Sequence, residues 1–258
     1  MTGTWAYMTA SDLGREIGTG RIHPVELVEA FLDSIDTHPL APRIYARATP
    51  DRARGEAMAA AARAKTGLRK GNLDGVPVSW KDLFDTAGIA TEAGSALLRH
   101  RTPDTDAVVL QSATQSGLVC LGKTHMSELA FSGLGLNPVT ATPPCLNDDR
   151  AVPGGSSSGA AASVAFGLAP AAIGSDTGGS VRIPAAWNDL VGLKTTTGSL
   201  PMGGVVPLCR AFDSIGPLAC SVEDCAGLLA ALSGTSPVDL GGASLAGARL
   251  AVLETVAL

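Results

Sequence analysis

The sequence has only four histidines, and all of them come before its serine-rich loops. They are His23, His38, His100 and His125. The run Gly-Ser-Ser-Ser-Gly at 155–159 matches the G-x-S-x-G nucleophile elbow, in which a histidine acts as the base. That elbow needs its histidine after the serine in chain order, and none follows here. Acyl-transfer chemistry at these serines would therefore need another base within this chain.

Strong charge is also missing, which excludes several classes of partner. Charged residues make up 17% of the chain, the formal net charge is −5, and no run of lysine or arginine forms a basic stripe. Because a basic stripe is the electrostatic mark of nucleic-acid-binding surfaces, we expect no direct nucleic-acid contact. The longest apolar stretch, 160–173, is interrupted by Gly167 and Pro170 and is too short to cross a bilayer. No membrane span or secretory leader is expected.

Cysteines are few, and motifs for metals or nucleotides are absent. The five cysteines are an odd number with no C-x-x-C pair, which favours reduced thiols and a cytoplasmic location. His125 and Glu128 do not have the spacing of a metal site. The loop at 154–160 lacks the Lys-Ser/Thr pair that ends a P-loop. The sequence therefore predicts no cofactor.

After a helical first part, helical and strand patterns alternate along the chain. Strands are predicted at 76–78, 119–122, 171–174 and 191–193, and helices at 24–35, 51–64, 105–116, 158–167 and 222–232. Alternation of this kind predicts an α/β fold with a mixed central sheet covered by helices. We expect a helical segment at 1–70 to pack on a core formed by 71–258.

Two glycine-serine loops contain the most informative residues. The run at 174–184 places Ser180 directly after Gly178 and Gly179 and before a predicted short helix. Glycines allow a positive φ and let successive N–H groups converge on an anion, so that a following hydroxyl can attack a carbonyl while these groups hold the oxyanion. Such loops also form simple turns and helix caps, so neither Ser180 nor Ser156 in the second loop is diagnostic alone.

Lys81 is a candidate base because it follows an apolar run that begins at residue 76. An ammonium group among apolar side chains loses hydration, its pKa falls toward neutrality, and the neutral amine can accept a proton. A structural ion pair with Asp82 or Asp85 is the competing interpretation. Lys123 and Lys194 also end apolar runs, so position alone does not select Lys81.

In combination, these segments resemble the amidase signature family. The stretch 154–201, which contains both serine loops, closely resembles the defining sequence of that family. The segment 74–82 resembles its lysine loop, and 102–107 and 121–128 are similar to further family segments. The resemblance extends over nearly the whole chain.

The resemblance implies the mixed α/β fold of the family and its Ser-cisSer-Lys arrangement. Ser180 matches the nucleophile, Ser156 matches the bridging serine that the family holds through a cis peptide, and Lys81 matches the base. The positions that match the oxyanion-hole backbone are Thr177, Gly178 and Gly179, together with Ser180 itself.

By this resemblance the chain is expected to be an amidohydrolase that cleaves a small-molecule carboxamide, a linear non-peptide amide, through a serine acyl-enzyme. The glutamine-hydrolysing A-type subunit of a tRNA-dependent amidotransferase uses the same three residues and is an alternative. An inactive truncated remnant that keeps the fold is another. The expected partners are a small amide and either a second copy of the chain or the other amidotransferase subunits.

Two features depart from the family pattern. The run Thr-Thr-Thr-Gly-Ser at 195–199 replaces the family's Pro-Thr-x-Gly-Arg, and we expect it to alter a loop near the site without altering the chemistry. Family members also continue well beyond residue 258, so the C-terminal half, with further sheet strands and much of the substrate pocket, is expected to be missing. A strand predicted at 249–253, next to the end of the chain, agrees with this expectation.

Overall fold

The computed structural model describes residues 5–249 of the chain. The helices in this part are α1 Ala10–Gly18, α2 Pro24–Thr37, α3 Ala41–Ile44, α4 Pro50–Lys65, α5 Val108–Gln115, α6 Ser158–Ala165, α7 Arg182–Trp187 and α8 Val222–Ser233. The strands are β1 Tyr45–Ala48, β2 Pro77–Lys81, β3 Val119–Thr124, β4 Ala171–Asp176, β5 Val191–Gly192 and β6 Ser214–Ala219.

The strands form one mixed sheet in the order β1-β3-β2-β4-β6-β5. β2 is parallel to both of its neighbours, β3 and β4, whereas β1 is antiparallel to β3, and β6 is antiparallel to β4 and β5. Every residue of β2, β3 and β4 is buried, as is typical of parallel strands in a sheet with both faces covered. The α/β fold with a mixed central sheet, expected from the sequence, is confirmed.

Helix α6 is completely buried and follows directly after one of the serine loops. Its sequence Ser-Gly-Ala-Ala-Ala-Ser-Val-Ala consists almost entirely of small residues. A Cβ at Gly159 would lie 2.6 Å from the backbone oxygens of His125 and Ile44, so only glycine permits this close approach. The small side chains let α6 pack against β4 and hold the preceding loop near the carboxyl end of that strand.

The first 70 residues contribute a strand as well as helices. β1 pairs with β3 and forms one edge of the sheet. The buried apolar residues of α1 and α2 belong to the same core cluster as those of β2 and β3. A boundary near residue 70, as predicted from the sequence, stays a prediction.

Most elements predicted at 24–35 and beyond are present, with ends that differ by a few residues. The sequence patterns do not indicate β1 or β6. β1 has only four residues, too few for an alternating pattern, and β6 contains Gly216 and Pro217, two residue types that are rare in strands. The strand predicted at 249–253 lies, apart from Arg249, outside the described residues.

Two further expectations concern residues 5–249. All five cysteines are free thiols in the structure, and the reduced compartment predicted from their number stays a prediction. No helix in this part of the chain is long and apolar enough to cross a membrane.

Candidate active site

Lys81 ends β2 inside the protein, and its amine contacts two hydroxyl groups. Nζ donates hydrogen bonds to Ser156 Oγ at 2.7 Å and to Ser175 Oγ at 2.8 Å. The side chain is completely buried. Burial removes water from the ammonium group and lowers the pKa of Lys81 from 10.5 to about 7, although the Asp176 and Asp213 carboxylates act in the opposite direction. A substantial fraction of Lys81 is therefore neutral near pH 7.

The carboxylates next to Lys81 in sequence are paired with other cations. Asp82 lies 3.2 Å from Lys123 Nζ and 2.8 Å from Arg47, and Asp85 is 2.6 Å from Arg101. No ion pair of Lys81 occurs among residues 5–249. The structure thus distinguishes the two buried lysines by their partners. Lys123 forms an ion pair with Asp82, whereas the Lys81 amine contacts only hydroxyl groups within residues 5–249.

Lys194, the third lysine that follows an apolar run, is not part of this arrangement. Its amine donates to the carbonyl oxygen of Thr195 at 2.8 Å. It therefore takes no part in the contacts among Lys81, Ser156 and Ser175.

Ser156 is completely buried and lies in the loop before α6. The peptide bond between Gly155 and Ser156 is cis, as the family resemblance implied. The carbonyl oxygen of Ser156 accepts a hydrogen bond from the Ser127 N–H at 3.2 Å. A Cβ at Gly155 would approach the Gly135 backbone to 2.6 Å, so a glycine is required before the serine. These contacts fix the loop that presents the Ser156 hydroxyl to Lys81.

Ser180 lies beside the Ser156 loop and is 7% exposed. Its carbonyl oxygen accepts a hydrogen bond from the Ser157 N–H at 3.2 Å, which joins the two serine loops. Within the described residues, no hydrogen bond connects Ser180 Oγ with Ser156 Oγ. The structure therefore brings Lys81 and Ser156 into contact and places Ser180 next to them, with a slight opening to solvent.

Asp176 organises the loop that leads to Ser180. Its buried carboxylate accepts hydrogen bonds from the Gly179 N–H at 2.8 Å and the Val181 N–H at 3.1 Å, and forms an ion pair with Arg182 at 3.0 Å. Burial alone would raise the pKa of Asp176, but the bonds from Arg182 and from the two N–H groups outweigh it and hold the pKa below its ordinary value. The ionised carboxylate thus fixes the backbone on both sides of Ser180.

The backbone of 177–180 offers N–H groups to a ligand, although not all of them are free. The Gly179 N–H is already bound to Asp176. The N–H groups of Gly178 and Ser180 have no acceptor within the part of the chain described. A Cβ built on Gly178 would meet no atom within 4 Å, so the space beside it is open. An oxygen atom of a ligand could reach these two donors.

Thr177 is held by a residue that the sequence patterns do not single out. Its hydroxyl is 2.5 Å from Asp213 Oδ1, and the same carboxylate accepts hydrogen bonds from the N–H groups of Leu208 and Cys209. Asp213 thereby ties the loop before β6 to the loop that contains Ser180. No motif in the sequence marks Asp213, because its contact with the Ser180 loop is to Thr177, which is 36 positions away.

Ser175 is the other site residue that was missed. It lies inside β4, in a buried strand, and a single serine in such a strand has no local signature. It does lie inside the run at 174–184, but nothing in the sequence connects its hydroxyl with Lys81. As for metals, no group of three or more His, Cys, Asp or Glu side chains in residues 5–249 is arranged to hold an ion.

The chain is similar to known proteins over most of its length. A family model described as Amidase matches residues 26–250. Among curated proteins, the A-type subunit of the Glutamyl-tRNA(Gln) amidotransferase of Anaeromyxobacter dehalogenans is 44% identical over 232 residues, which are 88% of this chain and 47% of that protein. The chain therefore spans about half the length of this relative.

Solved structures show the same relationship. The native peptide amidase from Stenotrophomonas maltophilia is 34% identical, with a TM-score of 0.82 over 91% of this chain and 51% of that one. A chain in a structure described as an unexpected vestigial protein complex, which reveals the evolutionary origins of an s-triazine catabolic enzyme, is 35% identical, with a TM-score of 0.85 and the same two coverages, 91% and 51%.

Proposed function

Because the chain belongs to the amidase family, we propose that it provides the catalytic half of an enzyme that hydrolyses amide bonds, with Ser180 as the nucleophile. The observation that carries this proposal is the contact of 2.7 Å between the buried Lys81 amine, which has no counterion within residues 5–249, and Ser156 Oγ. A lysine with a pKa of about 7 can accept a proton at neutral pH. We infer that the Ser156 hydroxyl carries the proton between Ser180 and Lys81, because Ser156 Oγ contacts the Lys81 amine and its loop is joined to the Ser180 loop by a backbone hydrogen bond.

The proposed reaction begins with two coupled proton transfers. Neutral Lys81 accepts the proton of the Ser156 hydroxyl, and Ser156 accepts the proton of the Ser180 hydroxyl. Ser180 Oγ then forms a bond to the amide carbonyl carbon, and the carbonyl oxygen becomes an oxyanion. For this step the Ser180 hydroxyl must form a hydrogen bond to Ser156 Oγ, which it does not form in the structure. Such tightening is common when a substrate binds.

The second half of the reaction returns the proton. Ser156 donates a proton to the leaving nitrogen and receives one from Lys81, the carbon–nitrogen bond breaks, and ammonia or an amine departs. Water then attacks the ester on Ser180 while the same residues accept its proton. They return that proton to Ser180 Oγ as the ester bond breaks, and the carboxylic acid is released. Atoms and charges balance with water as the only co-reactant.

Thr177, Gly178 and Gly179 with Ser180 are the proposed oxyanion hole. The N–H groups of Gly178 and Ser180, which have no acceptor within residues 5–249, support this assignment, and the open space beside Gly178 leaves room for the oxyanion. The Gly179 N–H supports the loop through its bond to Asp176. Loss of a single oxyanion donor typically costs about 10²- to 10³-fold in kcat.

A small carboxamide is our first candidate substrate, as the resemblance to the amidase family implies. The similarity to a peptide amidase supports a hydrolase. The second candidate is glutamine, hydrolysed for a tRNA-linked partner, and the 44% identity to the A-type subunit of an amidotransferase favours it. In that case the other subunits of such a complex are the partners of this chain.

Release of ammonia distinguishes these candidates. We would incubate the chain with primary carboxamides, C-terminally amidated peptides and glutamine, and measure ammonia with Ser180→Ala as the inactive variant and the exposed Ser199→Ala as the matched control. Ammonia from simple carboxamides that is lost only in Ser180→Ala supports the hydrolase. Release from glutamine alone supports the amidotransferase function. No release from any amide by the folded chain contradicts catalysis by this chain and favours an inactive remnant.

A further inference from the structure

The second hydroxyl partner of Lys81 has no part in the proton path described above. Ser175 Oγ accepts a hydrogen bond from Lys81 Nζ at 2.8 Å, nearly as short as the bond to Ser156. Ser175 is 5% exposed and lies in β4, the strand next to β2. The Lys81 amine therefore lies between two hydroxyl groups that come from different elements.

Ser175 is itself fixed by the residue that follows Ser156. The Ser157 hydroxyl accepts a hydrogen bond from the Ser175 N–H at 3.3 Å and donates one to the Ser175 carbonyl oxygen at 3.2 Å. A Cβ at Gly174 would lie 2.6 Å from Ser157 Oγ, so glycine is needed at that position. Lys81, Ser156, Ser157 and Ser175 thus form a closed ring of contacts, with one covalent link between Ser156 and Ser157.

The ring matters because a neutral amine has one lone pair and two N–H groups. Lys81 can act as a base toward Ser156 only when its lone pair points at the Ser156 hydroxyl. A lysine side chain ends in a freely rotating amine, and one contact does not fix that rotation. A second contact, which takes an N–H group as donor, leaves the lone pair in a defined direction.

We propose that Ser175 is a positioning residue, which accepts an N–H of Lys81 and thereby directs the lone pair of the amine at Ser156. This inference rests on the proposed function, in which Lys81 is the base. Ser175 touches neither the substrate nor Ser180 in this role, and it acts only through Lys81. Its hydroxyl group, and not its small volume, is the property that the role requires.

The titration of Lys81 tests the role of Ser175 directly and does not require a substrate. The chain has only five lysines, Lys65, Lys70, Lys81, Lys123 and Lys194, so the Hε–Cε signals of 13C-lysine-labelled protein form a small set. The Lys81 signal is assigned by its absence in Lys81→Met. We would follow its chemical shift with pH in the wild type, Ser175→Ala and Ser175→Thr. The control is Ser79→Ala, which removes a buried hydroxyl from β2 that contacts Tyr45 and not Lys81.

The expected result is a lower midpoint in Ser175→Ala. The charged ammonium loses one hydrogen-bond acceptor, so its protonated form is less stable and the midpoint falls by about one pH unit. Ser175→Thr keeps the hydroxyl and the wild-type midpoint, and Ser79→Ala keeps it as well. Should Ser175→Ala fail to fold, Ser175→Cys replaces it, because a thiol has a similar volume but accepts hydrogen bonds only weakly.

Two results overturn the inference. One is a Ser175→Ala midpoint equal to that of the wild type. The other is a Ser175→Thr midpoint that falls together with that of Ser175→Ala, which would show that packing in β4 matters and the hydroxyl does not.

Kinetics give a second and separate readout on an amide that the wild type cleaves. We expect kcat of Ser175→Ala to fall about tenfold with little change in KM, because the base is misdirected while the substrate site is intact. The acid limb of its pH profile moves to lower pH with the NMR midpoint. If the wild type cleaves amides and Ser175→Ala is equally fast, only the inference fails. If the wild type cleaves none, the proposed function fails, while the titration still decides the role of Ser175 toward Lys81.

Discussion

The Asp82 carboxylate lies 3.2 Å from Lys123 Nζ, and both side chains are almost completely buried. Asp82 follows Lys81 directly in sequence, but its charge is neutralised from the neighbouring strand β3 and by Arg47. Because Asp82 is paired with these cations, it does not form an ion pair with Lys81 that would raise the pKa of this lysine. The ion pair between Asp82 and Lys123 therefore allows Lys81 to be neutral.

Asp82→Asn should strongly destabilise the fold. The substitution leaves the Lys123 ammonium buried without its partner, and breaking a buried pair in this way costs about 3–5 kcal/mol. Urea unfolding of the wild type and the variant measures the difference in the free energy of unfolding. The double variant Asp82→Asn/Lys123→Met, which removes both charges, should recover part of the loss. Equal stability of Asp82→Asn and the wild type would show that the pair contributes nothing.

The rate of amide hydrolysis should depend on pH through Lys81. Its pKa of about 7 belongs to the base, which works only without its proton, so kcat/KM should rise as pH increases through about 7 and then level off. Lys81→Met should lose about 10²- to 10⁴-fold in kcat/KM and lose this acid limb. The matched control is Lys194→Met, which should keep both the rate and the limb. If Lys81→Met keeps an acid limb with the same midpoint, that limb belongs to another group and not to Lys81.

Asp176→Asn should slow the reaction without unfolding the protein. The carboxylate holds the Gly179 and Val181 N–H groups and Arg182, and an amide can replace only part of these acceptors. We expect a loss of about 10²-fold in kcat, comparable to that of a displaced oxyanion donor. The control is Asp189→Asn, because Asp189 is exposed and lies just beyond α7. Its φ is positive, a conformation that asparagine adopts well. An unchanged kcat in Asp176→Asn would contradict its role in ordering the loop.

Stability should also fall in mild acid because of His125. Burial lowers the pKa of its imidazole from 6.5 to about 4, and its Nδ1 has no hydrogen-bond partner. Between these two pH values the unfolded chain binds a proton that the folded chain refuses, so stability is lost as pH falls from about 6.5 to about 4. Over this pH range the free energy of unfolding should fall by up to about 3 kcal/mol more in the wild type than in His125→Gln. If the free energies of unfolding of the two proteins depend on pH in the same way, this role for His125 is excluded.

The residues of the site could be predicted to different extents. Ser156 and Ser180 follow glycines in short loops, so their surroundings are local in sequence and visible there. For Lys81 the sequence left an ion pair with Asp82 or Asp85 open, and only the pairing of β2 with β3 showed that Lys123 takes Asp82. Ser175 and Asp213 act on residues distant in sequence, and no local pattern marks them. Contacts between strands decide these roles.

The same distinction applies to the fold. The helix α6 and the strands β2 to β4 have clear apolar patterns, because they are buried along their length. β6 was missed because Gly216 and Pro217 interrupt its pattern. A Cβ at Gly216 would lie 2.0 Å from the Leu193 carbonyl oxygen, so the glycine is required by a close approach of two chain segments. Tertiary packing, and not strand propensity, selects these residues.

The identity of the nucleophile is tested most directly by covalent labelling. We would treat the folded chain with a fluorophosphonate probe and map the modified residue by mass spectrometry, with Lys81→Met as the variant that lacks the base. We expect the phosphonyl group on Ser180 alone in the wild type, because Lys81 activates it through Ser156, and much slower labelling in Lys81→Met. A label on another serine, or equally fast labelling of Ser180 without the Lys81 amine, would contradict the proposed chemistry.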